Sequence, residues 1–173
     1  MKEYLKSLLE LYDRKNAAYG NSTHITYYYY GKSSYITRLS DKFNRLSTLI
    51  KDENINCCEE SILDTIDDAI LYLFMFAGDM ITGYPDGELD DCYAENDDNV
   101  AYTKLIISSI TQLDTDLCET LIEKFKDQWL DDEEDMFYTL RNMYVSDAGT
   151  FDYINFALYL INFRLNFERR NID

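Results

Sequence analysis

EESILDTIDDAILYLFMFAGDMI, residues 59–81, is the stretch whose reading decides the fold. Ile62, Ile66, Ala69, Leu73, Ala77 and Met80 recur at helical spacing, so a helix over Glu59–Ile81 buries a face. Its polar residues are also spaced. Glu60, Asp64 and Asp67 share one face, because positions i, i+4 and i+7 lie above one another. The segment before it, Ser33–Asp52, has an apolar seam of Leu39, Phe43, Leu46 and Ile50. The same segment has a cationic stripe of Arg38, Lys42 and Arg45. A cationic and an anionic stripe on consecutive helices can hold phosphate, a divalent metal, or each other.

The rest of the chain extends the helical pattern. Pro85 is the single proline and there are 6 glycines in 173 residues, so little interrupts long helices. A first helix is expected from about Lys2 to Ala18, with Leu5, Leu8, Leu9 and Tyr12 inward and Gly20 beyond its end. Ser22–Gly31 is expected to be a loop or short extended stretch, since Tyr27 to Tyr30 cannot all face one core. Gly83-Tyr84-Pro85-Asp86-Gly87 is a turn signal, and an acidic connector follows to Asp98. Further helices are expected at about Asn99–Gln112, Thr115–Trp129, Asp132–Val145 and Thr150–Arg169, with caps at Asp114-Thr115 and Asp131-Asp132. TIDDAILYLFMF at 65–76 resembles TFDYINFALYLI at 150–161, which either a weak internal repeat or shared helix composition accounts for. The expected fold class is all-α, a helical bundle.

Charge restricts the partners. The net charge is −17. Residues 1–83 carry 9 Lys and Arg against 12 Asp and Glu, and the remainder 7 against 21, so the acidic excess lies in the second half. Such a chain is repelled by nucleic-acid backbones and by anionic membranes. A nucleotide partner would have to be small and held in a local basic pocket. No apolar run reaches 18 residues, and the start is amphipathic rather than a leader, so no membrane span and no signal peptide are expected. Cys57, Cys58, Cys92 and Cys118 lack metal spacing, and His24 is the single histidine. Zinc is disfavoured, and free thiols in a reducing cytoplasm are the expectation.

The phosphate reading is chemically concrete. Arg38 and Arg45 can each bind phosphate through two parallel hydrogen bonds, and Lys42 adds a point charge. Lys15 and Asn16, near the end of the first helix, can reach the same pocket. Tyr19, Tyr28 and Tyr30 are candidates to stack on a base. Against this stands a purely structural reading, an interhelical salt-bridge network between the cationic stripe and Glu60, Asp64 and Asp67.

Three blocks, DRKNAAYGNS at 13–22, YGKSSYITRLSDKFNRLSTLI at 30–50 and EESILDTIDDAILYLFMF at 59–76, together carry a resemblance. They resemble the nucleotide modification associated domain found in many phage proteins, itself similar to the all-helical MazG-like nucleoside triphosphate pyrophosphohydrolases. The resemblance covers the first half of the chain. It implies a MazG-like nucleotide-binding region over 1–83, while the residues themselves give an acidic connector over 84–98 and an acidic helical region over 99–173, expected to pack on the first within one compact domain. MazG-like enzymes place ExxE on one helix and ExxD on the next, where the carboxylates hold Mg²⁺. Asp64-Thr65-Ile66-Asp67 stands where ExxD would stand, whereas Arg38-Leu39-Ser40-Asp41 stands in place of ExxE. By the resemblance Asp41, Glu60, Asp64 and Asp67 are the candidate metal ligands, and a homodimer or higher homo-oligomer is expected. The function so implied is phage-encoded binding of a small nucleotide in the cytoplasm, with or without Mg²⁺-dependent pyrophosphohydrolysis, serving nucleotide metabolism or modification. Replacement of a glutamate by Arg38 leaves open a non-catalytic binder that sequesters a host nucleotide immune signal. The acidic second half leaves open a protein-interaction module or nucleic-acid mimic.

Overall fold

The computed structural model describes residues 1–51, 61–83, 98–130 and 135–170. Among them are eight helices and no strand. These are α1 (Lys2–Tyr19), α2 (Ser22–Tyr30), α3 (Lys32–Lys51), α4 (Ile62–Thr82), α5 (Asp98–Ile110), α6 (Thr115–Trp129), α7 (Met136–Val145) and α8 (Thr150–Arg170). The all-α bundle expected from the sequence is what the chain forms. No described helix is long and apolar enough to cross a membrane.

The bundle is built around α4. Ser61 starts this helix with a capping box: its side chain accepts from the Asp64 amide, and Asp64 accepts from the Ser61 amide. Ile66, Ala69, Ile70, Leu71, Leu73, Phe74, Phe76 and Ala77 are all buried, so apolar contact extends well beyond the single seam. A helix buried on most sides needs neighbours on most sides. α3, α5 and α8 supply them, and α8 makes the most extensive contact. The two similar segments at 65–76 and 150–161 thus lie on helices that pack together. Gly78 marks the close approach of α5, since a Cβ there would sit 2.7 Å from Thr103 Oγ1 and 3.2 Å from the Asn99 carbonyl oxygen.

The loop expected over Ser22–Gly31 is instead helix α2. Glycines with positive φ, Gly20 (60°) and Gly31 (64°), turn the chain at each end. Between them His24 and Tyr27, three residues apart, form the buried face. Helical spacing resolves the tyrosine run: Tyr27 goes inward, Tyr28 is half-buried, and Tyr29 and Tyr30 stand in solvent. The start of α7 is likewise later than expected. Asp135 caps it, accepting from the Phe137 and Tyr138 amides, while Asp131 and Asp132 lie outside the described residues. Asp114 caps α6 as anticipated, through the Leu117 amide. The connector residues 84–97 also lie outside the described residues.

Candidate functional site

A cleft of about 240 Å³ opens where the end of α1, the start of α2, α3 and α4 meet. Two helical stripes form its long walls. Tyr12, Lys15, Asn16 and Tyr19 recur at i, i+3, i+4 and i+7 on α1, and Asp68, Leu71, Tyr72 and Met75 repeat that spacing on α4. Arg38 of α3 completes the polar lining, while Gly20, Ser22 and Thr23 form the end wall. Ser22 and Thr23 open α2, where backbone N–H groups have no partner within the helix.

The electrostatics centre on Asp68. Lys42 Nζ donates to its Oδ2 at 2.7 Å, and Lys15 pairs with its Oδ1. Burial pushes the Asp68 carboxyl up, but the hydrogen bonds and charges of Lys15 and Lys42 outweigh this and hold it below the usual carboxylate range. Arg38 is different. Its guanidinium lies over the Tyr72 ring, 5.9 Å from the centroid, and makes no ion pair among the described residues. The cleft therefore presents a cation whose hydrogen-bonding edge is not engaged by a carboxylate there. Lys15, whose side chain is 40% exposed, lines the same cleft.

Of the residues expected to bind phosphate, Lys15, Asn16 and Arg38 line this cleft together. Lys42 does not line it but braces Asp68 from behind, and Arg45, one turn further along α3, lies outside the lining. Tyr19 stands at the rim, 73% exposed. Tyr28 and Tyr30 do not line the cleft, because α2 is a helix that directs its run elsewhere.

The carboxylates expected to hold Mg²⁺ have separate tasks. Asp64 is occupied in the α4 capping box. Asp67 accepts from Tyr4 Oη at 2.7 Å and from Arg164 Nε at 2.8 Å. Arg164, from α8, also stacks over the Tyr4 ring at 4.5 Å and pairs with Glu168. Burial, and then the Asp67 charge, raise the Tyr4 hydroxyl far above its ordinary range. Asp41 faces solvent on α3, and Glu60 lies outside the described residues. Among the described residues no three His, Cys, Asp or Glu side chains gather as a metal-ligand set. Asp41, Asp64 and Asp67 as arranged do not fit a shared Mg²⁺ ion.

Asp68, Tyr72 and Arg164 were missed by the sequence reading. Asp67 and Asp68 are adjacent, and a helix turns about 100° between neighbours, so each faces a different set of partners. Of the salt-bridge reading of the stripes, Lys42 pairs with Asp68 rather than with Asp64 or Asp67, and Glu60 lies outside the described residues. A second polar centre lies eleven residues further along α4. Asp79, fully buried, accepts from Tyr35 Oη at 2.5 Å and lies 2.6 Å from His24 Nδ1. No family model matches the chain, nor does any curated protein or solved structure.

Proposed function

We propose that the cleft between α1, α3 and α4 binds a small nucleotide. The observation that carries this reading is Arg38: a guanidinium set over an aromatic ring, without a carboxylate partner among the described residues, and lining a cleft together with Lys15. Arginine in that setting recognises planar oxyanions such as phosphate through paired hydrogen bonds. Tyr19 offers a ring to a base, and Asn16 offers both a donor and an acceptor to its edge. The resemblance of residues 13–76 to nucleotide modification associated domains agrees with the same ligand class and suggests a role in phage nucleotide metabolism or modification.

Binding without turnover is the form of this reading that the carboxylates favour. Asp64 and Asp67 are engaged in a cap and in an ion pair, and Asp41 is exposed on α3. A Mg²⁺-dependent pyrophosphohydrolase would need them gathered. Sequestration of a host signalling nucleotide is the biological role that such a binder would serve.

The test is a thermal-shift series with nucleotides, with and without Mg²⁺, on the wild-type protein and Arg38→Ala. A ligand specific to the folded state raises the melting temperature by mass action. The expected result is a rise that needs no metal, is abolished in Arg38→Ala, and returns the ligand intact by chromatography. Release of pyrophosphate in Mg²⁺ would restore the hydrolase. Absence of any shift, with capture of a basic protein in a salt-sensitive manner, would transfer the function to the acidic second half.

A further inference from the structure

Among the described residues three charged side chains line the cleft: Arg38 and Lys15 are cationic and Asp68, which Lys42 braces from behind, is anionic. The lining therefore sums to +1. A phosphate monoester carries roughly −1.5 to −2 at pH 7, which already takes up this charge. Each further phosphoryl group adds at least one negative charge, for which the cleft lining supplies no further cation. The rest of the chain offers no remedy at long range, because the protein as a whole carries −17.

Resting on the nucleotide reading, we infer that the cleft selects nucleotides bearing a single phosphate, and that Asp68 sets this limit as a charge filter. Arg38 grips the phosphate, and Lys15 bends to it from the exposed wall. Asp68 keeps one negative charge fixed beside them. A second or third phosphate would be forced towards that carboxylate or out into the field of an acidic protein. The same carboxylate can accept hydrogen bonds from an exocyclic amine or a sugar hydroxyl, which favours the nucleoside end of the ligand. Asp68 is thus a specificity-determining residue.

The experiment is calorimetric titration of the full chain, in EDTA, with the ribo- and deoxyribonucleotides of the four standard bases as nucleoside, monophosphate and triphosphate. The expected result is one base whose monophosphate binds at least ten-fold more tightly than its nucleoside and its triphosphate. In Asp68→Asn the preference for monophosphate over triphosphate should shrink several-fold, because the local charge rises by one. A purely structural role for Asp68 would weaken both ligands alike. A triphosphate that binds as tightly as the monophosphate, or an unchanged ratio in a folded Asp68→Asn, overturns the filter and leaves nucleotide binding standing. If none of these nucleotides binds, the filter falls, and the nucleotide reading then rests on the thermal-shift series.

Discussion

The two polar centres on α4 hold carboxylates in opposite ways. Asp79 is fully enclosed, and each of its oxygens meets a group that is itself buried, His24 or Tyr35. Asp68 stands at the edge of a cleft between two lysines, one of them 40% exposed, with the guanidinium of Arg38 near by. The first arrangement satisfies buried polar groups and docks α2 and α3 onto α4, which is structural work. The second leaves hydrogen-bonding capacity facing water, which a folded protein has no need to retain for its own stability. The contrast separates a joint from a site although both are carboxylates on the same helix.

The largest effect that would break this contrast lies at the joint. Asp79→Ala deprives both His24 and Tyr35 of a partner in the interior, at about 1–3 kcal/mol each. Unfolding in urea should therefore show a loss of roughly 2–5 kcal/mol with the helical fold retained at low denaturant. A loss below about 0.5 kcal/mol, the range of an ordinary surface change, would deny Asp79 its structural role. One residue away, Gly78→Ala forces a Cβ to within 2.7 Å of Thr103 Oγ1, with backbone atoms of Asn99 and Thr103 at 3.2 Å. Overpacking there should cost about 1–3 kcal/mol, read as a lower urea midpoint.

At the site the expectation reverses. Arg38→Ala should cost under about 1 kcal/mol of stability, the value of its stacking on Tyr72, while removing the nucleotide-induced rise in melting temperature. A variant that unfolded like Asp79→Ala would make Arg38 part of the scaffold. The smallest effect concerns pH. The Asp68 carboxyl is held below its ordinary value of 3.8 in the folded chain, so its ion pairs contribute stability above that value. That contribution is lost as pH falls through the lowered folded-state pKa. Urea midpoints of wild type and Asp68→Asn should accordingly differ at neutral pH and converge in acid below the carboxylate range. Divergence on acidification would contradict the lysine pairing.

How legible these features were depended on the range of the interaction that decides each. α1, α3, α4, α6 and α8 follow from apolar spacing within single segments, and the Asp114 cap from residues three apart. The inward seams held at Leu5, Leu8 and Tyr12 and at Leu39, Phe43 and Leu46, but Ile50 is exposed at the end of α3. α2 escaped because nine residues give too few turns to display a period, and its tyrosines read as apolar on every side. Its two flanking glycines were the available signal. Within the site, Lys15, Asn16, Tyr19 and Arg38 were found by composition and order. Asp67 was preferred to Asp68 because α4 is buried on most of its circumference, and periodicity cannot orient such a helix. Arg164 lies 97 residues from its partner Asp67, a distance no local pattern spans.

The neighbouring carboxylates Asp67 and Asp68 have a mechanical consequence. They project in directions about 100° apart, and each is held by cations from different helices: Arg164 of α8 on one side, Lys15 of α1 and Lys42 of α3 on the other. Rolling α4 about its axis by one residue would bring a carboxylate to one set of partners only by withdrawing it from the other. Asp79, held by His24 and Tyr35 further along α4, resists the same rotation. The paired acids act as two teeth of a key, and they fix the azimuth at which Tyr72 and Asp68 are presented to the cleft.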